Sequence, residues 1–294
     1  MSRTVTIDAV GGPHFATAHK GNKPLLADGE VVLTFDDGPS RTNTRLVLAA
    51  LAAQCTKATF FMVGQMAIAD PAMVQEVARQ GHTVGTHTWS HARLSSLSEV
   101  KAQDEIELGL SAVQQAMGKP IAPFFRFPYL RDNAFTVSHL QKRQIADFGI
   151  NIDSRDFEIR NSETLHKRVI ADVSAHRRGI ILFHDIHIST ARAIPAILAD
   201  IKRLGLRVVH LQPKAGAETL AEYDALARKA LERRHIAVTR NPLSKRAVAW
   251  PLAPMPAKTA ATTIAAPPPA VEPPAAHATK PEEDWKSRIW DPTH

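Results

Sequence analysis

Between residues 31 and 211 the sequence alternates short runs rich in β-branched and aromatic residues with longer stretches whose apolar positions recur every three to four residues. No other feature limits the fold so tightly, because strands separated by helical crossovers must lie parallel, in an α/β sheet or barrel. Seven candidate strands follow, at 31–35, 59–63, 83–86, 124–127, 146–152, 180–183 and 207–211. The intervening helices have readable ends: Asp70 with Pro71 opens one that Gly81 stops, Ser98 caps one running to Gly118, and Ser189 caps one ending at Gly205. Ile194, Ile197, Leu198, Ile201 and Leu204 form an apolar stripe at helical spacing that reads as core.

With 294 residues, 44% of them hydrophobic, the chain can bury a full core. One domain of roughly 200 to 250 residues plus extensions is expected. The expected division is an N-terminal extension at 1–30, the α/β domain at 31–213, a basic helical extension at 214–249 with its helix at 218–234, and a Pro/Ala-rich tail at 250–294. That tail, which carries Trp285 and Trp290, lacks the residues to assemble a core and reads as extended and disordered. No apolar run reaches the roughly 18 residues of a transmembrane helix. Asp8, His14, His19 and Lys20 interrupt the first thirty residues, so no secretory signal is read there, and the expectation is either a processed periplasmic or secreted form or a protein kept inside the cell. The single Cys55 excludes an internal disulfide or a cysteine-based zinc site and reads as packing at a helix end. The net charge of +7 favours polyanionic neighbours. Much of the excess lies outside the α/β region, at Lys229, Arg233, Arg234, Arg240, Lys245 and Arg246, and no nucleic-acid module accompanies it, so nucleic acid is not an expected partner.

Asp36 and Asp37 close the first strand directly before Gly38-Pro39, and fifty residues after Asp37 comes His87-Thr88-Trp89-Ser90-His91. Alone, the first string reads as a turn and the second as two histidines on one helix face. Together they supply one carboxylate and two imidazoles, a three-ligand metal set, and leave a second carboxylate for proton transfer. Both follow strands, where α/β folds present their chemistry. Adjacent residues of an extended segment point in different directions, so two roles for Asp36 and Asp37 require a bend, which Gly38-Pro39 can help to supply. Three more constellations end later strands: Arg126-Phe127-Pro128-Tyr129, Asp153-Ser154-Arg155-Asp156-Phe157 and Leu182-Phe183-His184-Asp185.

The ordered set T-F-D-D-G-P, H-T-x-x-H, R-x-P-Y, D-x-x-D-F and L-x-H resembles the five motifs of the polysaccharide deacetylases, the NodB homology domain or carbohydrate esterase family 4, over roughly residues 31–211. The resemblance implies a distorted (β/α) barrel of seven or eight strands and one divalent metal ion, Zn²⁺ ahead of Co²⁺, Mn²⁺ or Ni²⁺. It also implies hydrolysis of N-acetyl groups on N-acetylglucosamine-containing glycans such as chitooligosaccharide or peptidoglycan. Carried over by position, it makes Asp37, His87 and His91 the metal ligands, Asp36 the general base and Arg126 its partner. The Tyr129 backbone N–H would stabilise the oxyanion, and His184 would be the general acid with Asp153 holding its ring. Leu182 and Phe157 would line the acetyl pocket, where many relatives carry tryptophan at the position of Phe157, and Trp89 is a bulky candidate for sugar contact. Two other readings stay open: an O-acetyl esterase acting on xylan or another acetylated polysaccharide, and a non-catalytic glycan-binding barrel. Oligomeric state is not read.

Overall fold

The structure, a computed structural model, describes residues 3–15 and 25–240. The expected tail at 250–294 and the end of the basic extension lie outside the described residues. In chain order the elements are β1 (Arg3–Ile7), β2 (His14–Phe15), β3 (Glu30–Asp36), α1 (Arg41–Ala53), β4 (Thr59–Met62), α2 (Gly64–Ala69), α3 (Pro71–Arg79), β5 (Thr83–Thr86) and α4 (Glu99–Met117). There follow β6 (Phe124–Phe125), α5 (Ala134–Lys142), β7 (Ala146–Phe148), β8 (Ile152–Asp153), α6 (Ser162–His176), β9 (Gly179–His184), α7 (Ile188–Arg203), β10 (Arg207–Pro213) and α8 (Ala221–Arg240).

Every strand pairing is parallel, as helical crossovers require. The ladder runs β8, β9, β3, β4, β5, β6, β7, β2, while β10 joins the start of β3 and carries β1 on its far side. No pairing joins β7 to β8, so the ring of strands is interrupted there: this is an α/β fold whose barrel is distorted at one seam. The expected strand at 146–152 is therefore two short strands with a break at Gly149, β7 pairing with β6 and β2 while β8 pairs with β9.

β3 is central and buried along its whole length, which explains its unbroken apolar character. Its side chains alternate between two cores. Val31, Leu33 and Phe35 join helix residues such as Val47, Leu48 and Ile194, whereas Val32 joins Phe61, Phe124, Phe148, Ile180 and Val209, a cluster with no helix residue in it. The second cluster fills the inside of the sheet's curve, and each fully buried Phe, Leu or Ile contributes about 1.5–3 kcal/mol. The same alternation puts Thr34 and Asp36 on the inner face with Val32.

Three expectations are corrected. The described part of the expected N-terminal extension at 1–30 is not an appended segment: β1 and β2 join the sheet, on β10 and β7. Two-residue and exposed strands carry too weak a pattern to be read. Ser189 does not cap α7, which begins at Ile188 with His187 at the cap position and Ser189 buried in its first turn. Cys55 is exposed, in a left-handed turn (φ 48°) just past α1, and packs no core. By contrast Ser98 does accept from the Lys101 amide, and Gly118 closes α4 in the left-handed conformation. Among the described residues no helix is long and apolar enough to cross a membrane.

The basic helix packs on the domain as α8. The Tyr223 hydroxyl donates to the buried Asp104 carboxylate of α4, and Arg234 donates to the Ala69 carbonyl at 3.2 Å. Tyr223→Phe keeps the ring but leaves a buried carboxylate oxygen without that donor, and should cost about 1–3 kcal/mol of stability in chemical denaturation. A loss near zero would mean that α8 is held by apolar contact alone.

Candidate metal and acid–base centre

The end of β3 delivers both carboxylates. Asp36 stays extended and points inward, and Asp37 turns into the left-handed region at φ 72°, an uncommon conformation for a non-glycine residue that costs about 1–3 kcal/mol. The required bend thus falls on Asp37 itself, followed by a cis peptide between Gly38 and Pro39. Gly38 has no room for a side chain, since a Cβ there would meet the Asp185 carboxylate at 2.3 Å.

Arg126, wholly buried with 0% exposure, organises Asp36. Its Nη1 donates to Asp36 Oδ1 at 2.8 Å and to Thr34 Oγ1 at 2.7 Å, Nε donates to the Phe148 carbonyl at 2.9 Å, and Nη2 donates to the Gly149 carbonyl at 3.1 Å. Its guanidinium also lies 4.4 Å over the Phe61 ring. With Oδ1 engaged, Asp36 Oδ2 faces His87, 3.9 Å from its Nε2. Burial lifts the Asp36 carboxyl above its ordinary value while Arg126 pulls it back, which leaves a carboxylate more basic than one in water.

His87 and His91 do not share a helix face. They lie in the loop after β5, where Thr88 (φ 67°) and His91 (φ 60°) are both left-handed and curl the chain so that the two rings meet, with centroids 4.9 Å apart. The loop's polar groups are supplied from two helices. Gly64 and Gln65 amides of α2 donate to the Thr88 and Trp89 carbonyls, both at 2.9 Å, and the Trp89 amide donates to the Glu105 carbonyl of α4 at 2.8 Å. Thr88 Oγ1 accepts from the His91 amide at 3.0 Å. Gly109 lets α4 approach, because a Cβ there would fall 2.5 Å from the Thr88 backbone.

Asp37, His87 and His91 each offer one ligand atom, all within 4.8 Å of one another. His87 Nδ1 donates to the Arg126 carbonyl at 2.7 Å, so its Nε2 carries a lone pair. That lone pair faces Asp37 Oδ1 at 3.6 Å, and His91 Nε2 lies 3.3 Å from the same oxygen, which is buried and has no hydrogen-bond donor. Burial holds His87 down at about 3 and His91 at about 4, so both rings are neutral near pH 7. The His87 lone pair repels an unsatisfied carboxylate oxygen unless a cation lies between them, and with the neutral His91 ring closing on the same oxygen the donor set fits a divalent ion.

His184, at the end of β9, is paired in register with Asp36. Its Nε2 is 4.0 Å from Asp37 Oδ2, and its Nδ1 donates to Asp156 Oδ1 at 2.6 Å. Asp156 also accepts from the His184 amide at 2.7 Å and from Thr190 Oγ1 at 2.6 Å. The expectation that Asp153 holds this ring is therefore corrected. Asp153 accepts from the Arg155 amide at 2.9 Å, and the left-handed Arg155 (φ 55°) turns Asp156 inward instead. Sequence spacing alone offers both carboxylates, and only this turn selects between them.

A family model described as polysaccharide deacetylase matches residues 26–146. The peptidoglycan-N-acetylglucosamine deacetylase of Listeria monocytogenes is 31% identical over 191 residues, 63% of this chain and 39% of that protein. A peptidoglycan-N-acetylglucosamine deacetylase of Bacillus cereus is 31% identical over 184 residues, 61% of this chain and 84% of that protein. The chain belongs to the polysaccharide deacetylase family. In solved structures the same likeness extends to a peptidoglycan deacetylase of Bdellovibrio bacteriovorus, with TM-score 0.66 and 32% identity over 73% of this chain and 60% of that one. The chain thus spans well under half the length of the Listeria protein it matches.

In this member of the family the rim of the centre is partly aromatic. Tyr129, left-handed at φ 59°, is 53% exposed, stands edge-on to His91 at 4.8 Å and lies beneath the Arg93 guanidinium. Phe157 is 44% exposed and its ring stands 6.0 Å from that of His184, while Leu182 is buried on β9. Trp89, at 1% exposure, is packed against Gly64 and offers no face to a sugar, contrary to expectation. Burial alone would lower His184, but Asp156, with Asp37 and Asp36, outweighs it and pushes the imidazole up to about 10. The sign follows: this stabilisation is complete below the imidazole's ordinary value of about 6.5 and drains away as pH rises through the raised one. Asp156→Asn should bring the His184 titration, followed by NMR of its ring protons in the metal-free chain, down toward the ordinary range. It should also remove stability below pH 10.

Proposed function

We propose that this chain is a metal-dependent hydrolase that removes N-acetyl groups from an N-acetylglucosamine-containing glycan, releasing acetate and a free amine. The observation that carries the reading is a base and an acid on paired positions of neighbouring strands, Asp36 and His184, flanking the carboxylate of Asp37 where it meets His87 and His91. Asp37, His87 and His91 would hold the ion. When bound, a divalent ion supplies Lewis acidity that brings water's pKa toward about 7 and polarises a carbonyl.

The protein's own groups divide the proton traffic. Asp36 Oδ2, left facing the centre while Arg126 holds Oδ1, takes a proton from the attacking water. The Tyr129 amide, presented by its left-handed turn, donates to the oxyanion that develops on the acetyl oxygen. An amine leaves poorly without a proton, and His184, kept protonated by Asp156, supplies one from Nε2 as the C–N bond breaks. Leu182 and Phe157 bound the space for the acetyl methyl on the His184 side, with phenylalanine giving a smaller wall than tryptophan would.

Acetate release from N-acetylglucosamine oligomers, peptidoglycan and acetylated xylan, with metal content measured on the same samples, tests this reading. Asp36→Asn should keep its metal and lose about 10²–10⁴-fold in rate. His91→Ala should lose metal and rate together. Full activity in Asp36→Asn would remove Asp36 as the base, and release from acetylated xylan alone would make the chain an O-acetyl esterase.

A further inference from the structure

The loop that carries His87 and His91 is irregular, and a buried carboxylate outside the acid–base set engages its tip. Glu105 of α4 accepts from the Ser90 amide through Oε2 at 2.9 Å and from the Ser90 hydroxyl through Oε1 at 2.7 Å, while its own carbonyl takes the Trp89 amide at 2.8 Å. Three donors from two successive loop residues therefore end on one helical residue, and the next residue is the left-handed His91. Ser90 carries no candidate chemistry of its own, so the bonds act on the backbone that precedes His91.

We propose that Glu105 is a positioning residue for the metal centre, fixing Ser90 so that His91 Nε2 is aimed at Asp37 and His87. The proposal rests on the reading of those three residues as a metal-binding set. Without the Glu105 carboxylate, the Ser90 amide has no acceptor within the fold, the strained turn relaxes toward ordinary backbone angles, and His91 swings off the line of the other two donors. His87, held by the Arg126 carbonyl, stays in place. Loss of such an outer contact at metal sites lowers affinity by about 10–100-fold.

The experiment measures Co²⁺ and Zn²⁺ affinity of the full chain by competition with a chromophoric chelator, together with the Co²⁺ visible spectrum and the melting temperature of the metal-free forms. Glu105→Ala should bind 10–100-fold more weakly, with a changed Co²⁺ spectrum. Glu105→Gln, which can still accept the Ser90 amide and donate to its hydroxyl, should stay near the wild type. Ser90→Ala, which leaves α4 untouched, should fall between them, so the question survives if Glu105→Ala does not fold. Glu105→Ala combined with His91→Ala should bind no more weakly than His91→Ala alone, because both act through one ligand. Wild-type affinity in Glu105→Ala, equal losses in the Gln and Ala variants, or penalties that multiply in the double variant would each overturn the proposal. Acetate release is scored separately. A wild type that binds Co²⁺ yet releases no acetate removes the hydrolase reading and leaves the role of Glu105 standing.

Discussion

The ion pair between Arg126 and Asp36 is the constraint around which the rest of the structure is arranged. Taking a guanidinium and a carboxylate out of water costs several kcal/mol per ion, and the cost is offset only when geometry is good and the remaining donors are satisfied. Arg126 meets that demand by drawing on four strands: Thr34 and Asp36 of β3, the Phe61 ring of β4, its own place after β6, and the Phe148 carbonyl at the end of β7. Its last partner, the Gly149 carbonyl, is available because the strand stops there. The break between β7 and β8, which opens the barrel seam, is thus also what completes the arginine's shell. Gly149 in turn donates to the Phe15 carbonyl of β2 at 2.9 Å, so the N-terminal strand braces the same point.

Much of this was legible in the sequence, for a physical reason. The long parallel strands are buried on both faces and read as continuous apolar runs, and the helices carry stripes that match their period, so the α/β class and the strands β3, β4, β5, β9 and β10 follow from pattern. The residues of the centre were legible because strand ends concentrate them in short strings. What pattern could not supply were the left-handed turns. Asp37, Thr88, His91, Tyr129 and Arg155 all have positive φ without being glycine, and nothing in their side chains announces it. Those turns decide that the histidine pair sits in a loop, that Asp37 rather than Gly38 bends the chain, and that Asp156 rather than Asp153 reaches His184. Glu105 was hidden for a different reason. It lies in the run Asp104, Glu105, Glu107 of α4, which no motif marks, and all three are buried where α5, α8 and the histidine loop cover that helix.

Concentrating strain in one place requires compensation nearby, and the loops around the centre show where it comes from. Among the described residues, five of the nine non-glycine left-handed residues border the candidate acid–base set. Each such turn would relax if its polar groups could find water, but in the histidine loop the Thr88 and Trp89 carbonyls accept from α2 amides, and the Trp89, Ser90 and His91 amides donate to Glu105 and to Thr88 Oγ1. Rigid helices behind a strained loop hold the candidate ligand atoms of Asp37, His87 and His91 within 4.8 Å of one another, an arrangement that would lower the reorganisation needed to bind an ion.

The charges around Asp37 give the centre its polarity. Asp36 is balanced by Arg126, and Asp156 by His184, so two buried carboxylates have dedicated cations. Asp37 lies between those pairs, with His87 and His91 held neutral by burial and the 4.0 Å contact to His184 offsetting it in part. Of the three carboxylates Asp36, Asp37 and Asp156, the one without a full counter-charge is therefore the one on which the imidazole donors converge, and a dication placed there would supply that charge. The same arrangement keeps Asp36 and His184 from collapsing onto each other. Each is tied outward, to Arg126 or to Asp156, so in the proposed reaction a proton collected on one flank of Asp37 and a proton delivered on the other would not meet until the substrate had changed between them.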